Sequence, residues 1–534
     1  MSGFIRRLNR LFKIYNMNRD ILIDIKTWLG RILLVGCFME MVFFTSMENF
    51  LGCVSSIYGW YLISTYCIRR EYLGKYPLPT LVMFGLGVCY SVLPILVTLV
   101  EGKPVSFNFQ VPYLTYYNQI ISMTVITVAF RLAIRLYKPG CLLNRLWNKI
   151  GYMDVLSEKQ VWIFGFLGIS ALLSILSEMG EEHEYQASGN FVGIVINVMS
   201  GLSLAPICLY FKHLYGDHTP AKTKRFVKYY IVVLMVIGFA STRRGLVFNS
   251  IVTVACIYLF LIIYNNRRIF TAKNTILVIV VAYLVTGPVA EIAMAMILNR
   301  HFGGTASQTA EAIWKLYNDK ETLHKTYQLF MANTDNGGDN SQGWSEYYVD
   351  NIFLDRFCNL RTIDGTLYNA QKAGFGCNEG RKYYESYWIN EIPSFITNSL
   401  GLEKDFRGTA TDHMVISNFS DNLYSLRGFK VGGETGVGLW MFGYSYYIIA
   451  LLTYIVVFYF LCSFTNISNA GILFPLPVLV SFRLYWMFFL NANGIFTSMN
   501  ATFARNSLNK ILIYCVLLFV IKLLIPKQRQ IAIK

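Results

Sequence analysis

Residues 77–100 read PLPTLVMFGLGVCYSVLPILVTLV, a run without one charged side chain. A helix rises 1.5 Å per residue, so crossing a hydrocarbon layer of roughly 30 Å takes about 20 mostly apolar residues. Backbone N–H and C=O groups find no water there, and a helix pairs them within one segment. The stretch therefore predicts a membrane-spanning helix, and much of the chain repeats the pattern. Of 534 residues, 54% are hydrophobic and 15% charged, with a mean hydropathy of +0.43. Such a balance excludes an ordinary soluble enzyme.

Working outward, the same reading predicts about twelve spans, near 31–49, 51–68, 77–100, 114–137, 161–177, 191–211, 229–242, 245–264, 274–298, 437–464, 472–490 and 509–526. The expected class is an all-α polytopic integral membrane protein. Two pairs, 31–49 with 51–68 and 229–242 with 245–264, leave almost no loop between their members. The layout is then an N-terminal segment (1–30), nine spans (31–298), a large loop (299–436), three spans (437–526) and a short basic tail (527–534).

Lys and Arg in short loops stay on the cytoplasmic side. Arg6, Arg7, Arg10 and Lys13 precede the first span, Arg69 and Arg70 follow the second, Arg135 and Lys138 the fourth, Lys222 and Lys224 the sixth, Arg267 and Arg268 the eighth, and Lys527 and Arg529 the last. Connections after odd-numbered spans are acidic or nearly neutral, as with Glu178, Glu181, Glu182 and Glu184. The alternation predicts both termini inside and the large loop outside. It also accounts for the net charge of +16, because anionic lipid attracts positive charge to the cytoplasmic face. The large loop itself holds more Asp and Glu than Lys and Arg, which argues against a nucleic-acid partner. Phe4, Ile5, Leu8, Leu11, Phe12 and Ile14 alternate with basic residues at helical spacing, predicting a segment that lies along the inner interface. No short apolar core followed by a small-residue cleavage site marks it as a cleaved signal peptide.

The large loop, rich in aromatics such as Trp314, Trp344, Tyr347, Tyr383, Tyr384, Tyr387 and Trp388, is expected to be folded. Residues 306–333 read as one amphipathic helix, with Ala312, Leu316, Leu323, Tyr327 and Phe330 near one face. Asp335, Asp339 and Glu346 occupy first, fifth and twelfth positions of a calcium-loop spacing, but Gly337 lacks a ligand at the third and Asn340 replaces the glycine at the sixth, so an ordinary turn is expected. Most of the 11 cysteines fall in spans and act as small apolar residues. Cys358 and Cys377 stand in the loop, where a disulfide and two free thiols are both open. No zinc-type spacing or metal motif is present, and no cofactor is expected.

Chemistry is expected at two places. Ser241-Thr-Arg243-Arg244-Gly245 sets two guanidinium groups where two spans meet on the outer face. A charge there lines a cavity, meets an anion or snorkels to the interface, and Arg suits phosphate because its planar fork donates two parallel hydrogen bonds. Near the other end of the loop, Asp421-Asn422-Leu-Tyr424 precedes Arg427-Gly-Phe-Lys-Val-Gly-Gly-Glu434-Thr-Gly-Val-Gly, which runs into the tenth span. Glycines that close together permit tight backbone approach to a ligand or helix; a flexible junction with a solvated charge pair is the other reading. Between them, Asp355-Arg356-Phe-Cys-Asn-Leu-Arg361-Thr-Ile-Asp364 reads as a turn-bounded helix with local ion pairs or as a substrate contact.

With these residues the chain resembles the O-antigen polymerase and O-antigen ligase superfamily, whose members combine ten to fourteen spans with one large extracytoplasmic loop and two short motifs. The first, Ser/Thr-Arg and a small residue, is matched by Thr242-Arg243-Arg244-Gly245; the second, Asn-x-Tyr-Leu followed by Glu-x-Gly, is matched loosely by Asn422-Leu-Tyr424 and Glu434-Thr-Gly436. Ligase-like members carry His immediately before that Asn, where Asp421 stands here and the nearest His is His413. Arg427 and Gly438 match an Arg-to-Gly spacing associated with some polymerases.

The resemblance implies a GT-C-like fold and metal-independent glycosyl transfer between polyprenyl-pyrophosphate-linked oligosaccharides at the outer face of a bacterial inner membrane. Arg243, Arg244 and one of Arg361 or Arg427 would stabilise the departing pyrophosphate, and Glu434 or His413 would take the acceptor's proton. Arg356, Asn422 and Tyr424 complete the implied substrate set, and membrane lipid and a chain-length regulator protein are implied partners. A ligase would differ only in using a lipid core as acceptor, and the missing His-Asn pair favours the polymerase. The competing class is a transporter or flippase: Gly287-Pro288 and Pro475-Leu-Pro477 would break helices, but no matching halves are found.

Overall fold

The computed structural model describes residues 20–178, 191–217, 222–240, 244–266, 283, 286–299, 306–335, 348–355, 357–358, 360–392, 394–403, 433–468, 471–489 and 505–525, and every structural statement below concerns these. About 81% of the structure is helical. Five apolar helical stretches are long enough to cross a membrane: Pro77–Val100, Pro112–Leu136, Glu158–Ile175, Val195–Tyr215 and Glu434–Ser463. The last is not one rod, as shown below.

In chain order, the elements that frame the site are α1 (Ile21–Phe43), α2 (Met47–Tyr66), α3 (Pro77–Val100), α4 (Pro112–Leu136), α5 (Lys224–Ala240) and α6 (Arg244–Tyr264). Ser46 separates α1 from α2 and caps the second, its hydroxyl accepting from the Asn49 N–H at 3.1 Å. The helices of each short-loop pair, α1 with α2 and α5 with α6, pack against each other. Within α3, residues Val88–Val92 widen into a π-turn, a device found at functional positions inside helices. Gln119 of α4 meets it, donating from Nε2 to the Tyr90 carbonyl at 2.6 Å while its Oε1 accepts from Ser55 at 3.1 Å.

One end of the bundle is tied by side chains that finish helices. Asn144 donates to the Ser463 carbonyl at 2.9 Å and Trp147 to the Ser463 hydroxyl at 2.8 Å, while Phe474 N–H donates to Leu214 O at 2.7 Å. Lys212 is buried between Glu158 (3.5 Å) and Asp217 (2.9 Å). The other end joins the α3–α4 connection to the large loop. Glu101 accepts from the backbone of Asp350 (2.8 Å) and Asn351 (3.1 Å), Lys103 bridges Glu101 and Asp350, and Tyr348 donates to the Val105 carbonyl at 2.8 Å. Buried Glu40 of α1 holds the same connection through the Val105 N–H at 2.6 Å.

Several expectations are corrected. The single amphipathic helix over 306–333 is two helices, Ala306–Asn318 and Lys320–Asp335, because Asp319 stops the first and caps the second by accepting from Thr322 N–H at 3.1 Å. The span over 472–490 is not one helix: Asn466–Ser468 and Gly471–Leu473 pair antiparallel, and short helices Leu476–Val480 and Phe482–Trp486 follow. Pro475 and Pro477, which cannot donate to a helical ladder, confine that segment to short turns. Cys358 and Cys377 are free thiols. The basic segment before residue 20 and the Asp335–Glu346 turn lie mostly outside the described residues.

Candidate functional site

The site is assembled where the large loop re-enters the bundle. Three further helices build it: α7 (Leu360–Ala373), α8 (Glu434–Phe442) and α9 (Tyr446–Ser463). The sequence reading made one span of 437–464, and here the structure departs from it. Gly443 has φ 59° and ψ −151°, a combination that only glycine adopts without strain. The chain reverses there. Were 434–463 one straight helix, Glu434 and Tyr454 would stand about 30 Å apart; instead the Tyr454 hydroxyl donates to Glu434 Oε2, and the Tyr446 hydroxyl donates to Oε1 at 2.9 Å. Tyr446 and Tyr454 lie two turns apart on one face of α9, which is why both reach a single carboxyl. The half-helix α8 lies against them, and Gly438 makes this possible: a Cβ at that position would sit 2.1 Å from the Tyr446 ring.

The loop clamps both ends of α8. At its start, Gly433 N–H donates to the Thr366 hydroxyl of α7 at 2.8 Å. At its end, Gly376 N–H satisfies the carbonyls of Leu439 (2.9 Å) and Trp440 (3.0 Å), the orphan acceptors of a helix C-terminus. Trp440 is fully buried. The start of α8 is therefore deep: the Thr435 hydroxyl lies 3.3 Å from that of Ser122, about 15 Å along α4 from its first turn.

Glu434 lines a small cavity of about 50 Å³, room for a few water molecules. Its walls are Leu86 and Tyr90 of α3, residues from Thr115 to Ile126 of α4, Leu360 and Ile363 of α7, Tyr446, Tyr447, Ala450 and Tyr454 of α9, and Phe489. The polar groups are mostly engaged within the wall. Tyr90 donates to the Phe489 carbonyl at 3.0 Å, Tyr447 to Asn118 Oδ1, and Thr115 to Asp364 at 2.9 Å. Beside Glu434 the lining carries the Gln119 amide and the Ser122 and Thr435 hydroxyls, set among aromatic and aliphatic side chains.

Asp364, one turn from these lining residues, does a different task. It accepts from Gln110 N–H (2.6 Å), Val111 N–H (3.0 Å) and Thr115, and pairs with Arg361 at 2.9 Å. A carboxylate from the loop thus completes the N-terminus of α4, where its charge meets the positive helix end. Desolvation pushes the Asp364 carboxyl above the usual aspartate value, and these donors pull it back toward ionisation.

Of the residues singled out from sequence, Glu434 lies in the cavity. Arg361 is not among the described lining residues: it is buried, 2% exposed, against Asp364 as an i,i+3 ion pair, as the local-ion-pair reading expects. Arg244 is where the described part of α6 begins. Arg243, Arg356, His413, Asn422, Tyr424 and Arg427 lie outside the described residues. Sequence reasoning missed Tyr90, Gln119, Tyr446 and Tyr454. The available signal was polar atoms inside apolar runs, weakest for tyrosines because a phenol at a span end also reads as an interface anchor. Compared with known proteins, this chain matches no family model, no curated protein and no solved structure.

Proposed function

We propose that this protein is a membrane glycosyltransferase that polymerises polyprenyl-pyrophosphate-linked oligosaccharide repeat units at the outer face of a bacterial inner membrane, with about twelve spans, both termini cytoplasmic and the large loop outside. The observation that carries the reading is Glu434: a carboxyl at the base of a re-entrant half-helix, held by two phenols and facing a cavity under the large loop. A buried carboxyl is costly to keep in a membrane protein unless it works. In the proposed step Glu434 takes the proton of an acceptor hydroxyl, the freed oxygen bonds to the anomeric carbon, and the C–O bond to pyrophosphate breaks with its electron pair leaving on the phosphate. Arg243 and Arg244 are the proposed stabilisers of that charge.

A second reading, an oligosaccharide-lipid transporter, draws on the half-helix α8 and the short helices after Pro475, since discontinuous helices recur at transport sites. Complementing a deletion strain of the source bacterium with Glu434→Gln, Arg243→Ala or Arg244→Ala separates the two. Polymerase action predicts loss of the long-chain surface ladder with single repeat units still displayed outside. Build-up of lipid-linked units on the cytoplasmic side would select the transporter, and unchanged ladders in all three would reject these residues as the site.

A further inference from the structure

We infer that the groove between α2 and α4 binds an anionic phospholipid, its phosphate held between Arg69 and Arg131 and its acyl chains lying along the two helices. On the proposed orientation this is the cytoplasmic end of the bundle. The site stands apart from Glu434 and uses none of the residues proposed for the transfer step.

Two helix faces make the groove. On α4, Tyr117, Ile121 and Val128 share one face that continues to Arg131; on α2, Val54 and Tyr61 share a face that continues to Thr65. These five apolar or aromatic side chains are 38–57% exposed, and the Tyr58 and Thr124 hydroxyls, 3.0 Å apart, join the two faces between them. From Ile121 to Arg131 α4 rises about 15 Å, half of a hydrocarbon core of roughly 30 Å. The strip is thus as long as an acyl chain of one leaflet, and it runs into positive charge.

That charge converges from three elements. Arg69 donates from Nε to the Thr65 carbonyl at 2.9 Å, which folds it back over the end of α2. Its guanidinium carbon lies 5.8 Å from the ring centre of Tyr72, a residue of the short helix Arg70–Lys75. Arg131 approaches the same ring at 5.4 Å and donates to the Tyr72 hydroxyl. Lys26 of α1 donates to the Ser64 and Ile68 carbonyls at 2.7 and 2.9 Å, close enough to Arg69 for the two charges to repel. Glu71, the acid next in sequence, turns to Lys75 at 3.3 Å.

Arg135 shows what an ordinary interfacial arginine does here: it is exposed in the last turn of α4, where the helix end and the lipid surface both favour it. Arg131 lies one turn deeper and half-buried, where a charge is costly unless it meets a partner. Because the Tyr72 hydroxyl accepts from Arg131, its own proton is directed elsewhere. Two forked guanidiniums and a phenol around one ring offer several donors together, which the multiple acceptor oxygens of a phosphate satisfy. Like charges gathered at the end of an apolar strip thus match a ligand with an anionic head and an apolar tail.

The test titrates the full-length protein in detergent with dioleoyl phosphatidylglycerol or dioleoyl phosphatidylcholine, and native mass spectrometry reads the affinity of the first lipid bound. The two lipids share their acyl chains and differ in net charge. Wild type is expected to prefer phosphatidylglycerol about thirtyfold, the combined effect of two basic residues beside an anionic lipid. In Arg69→Gln/Arg131→Gln the preference vanishes while phosphatidylcholine binds as before, which also shows that the protein is folded. Should the double variant not fold, Arg69→Gln alone, an exposed position, is expected to lower the preference about fivefold. Arg135→Gln keeps the wild-type preference, and inorganic phosphate in large excess does not displace phosphatidylglycerol. Equal binding of the two lipids to wild type, a preference that survives in the arginine variants, loss of it in Arg135→Gln, or displacement by inorganic phosphate would each overturn the assignment.

Discussion

Asp364 and Glu434 are both acids associated with the N-terminus of a helix, and they differ in what surrounds them. Asp364 accepts from two backbone amides, a hydroxyl and a guanidinium, and has no share in the cavity wall. Glu434 accepts from two phenols and lines a small cavity of about 50 Å³. A carboxylate saturated by backbone donors fixes structure; one held at both oxygens yet open on the side of a cavity is arranged to receive something. The same electrostatic preference for a helix N-terminus thus serves docking of the loop in one place and, on the proposed function, presentation of a base in the other.

The contrast has measurable consequences. Asp364→Ala is expected to cost about 3–5 kcal/mol, because it removes the ion-pair partner of buried Arg361 and the acceptor of two amides. A thermal-unfolding midpoint in detergent reads this, and a midpoint equal to wild type would show that the Asp364 contacts do not hold the loop to α4. Glu434→Ala in the same assay is expected to lower the midpoint less than Asp364→Ala, since it leaves two phenols without their acceptor but breaks no ion pair. Next in size is Gly443→Val, which forces a branched residue into a glycine-only backbone region and should cost about 1–3 kcal/mol. Because that turn brings Tyr446 and Tyr454 back onto Glu434, its surface glycan should shorten along with its stability; full-length glycan would mean the hairpin is not needed for the chemistry. Smallest is Tyr454→Phe, which removes one hydrogen bond to the carboxyl and costs about 1–1.5 kcal/mol, a roughly tenfold fall in polymerisation rate if the phenol orients Glu434 for proton transfer. Equal rates for Tyr454→Phe and wild type would assign the phenol to packing.

How far the sequence could be read depends on which physical pattern each element obeys. Uncharged runs such as 77–100 announce themselves, because lipid imposes one solution on a backbone that must pair its own polar groups. The reversal at Gly443 does not. Residues 435–463 carry no charged side chain, and a half-helix packed on its neighbour has the same composition as one long span; only the backbone at one glycine and the Glu434–Tyr454 contact separate them. The two-helix break at Asp319 was readable in principle, since Asp caps helices, but the apolar positions on either side keep nearly one phase. Glu434 was legible as chemistry because a charge beside a span is conspicuous. Arg361 was conspicuous for the same reason, and its structural role depended on Asp364 and on amides more than 240 residues away in sequence, which no local pattern contains.

The most direct test measures Glu434→Gln twice in one preparation, once for thermal midpoint and once for polymer formation in a deletion strain at equal membrane abundance. An open, working carboxyl predicts a midpoint lowered less than that of Asp364→Asn together with loss of the long-chain glycan, while Asp364→Asn shows the reverse balance, a lowered midpoint with activity in the folded fraction. A midpoint lowered as far as that of Asp364→Asn with intact glycan for Glu434→Gln would make Glu434 a second Asp364, a structural acid, and would contradict the assignment of the cavity as the functional site.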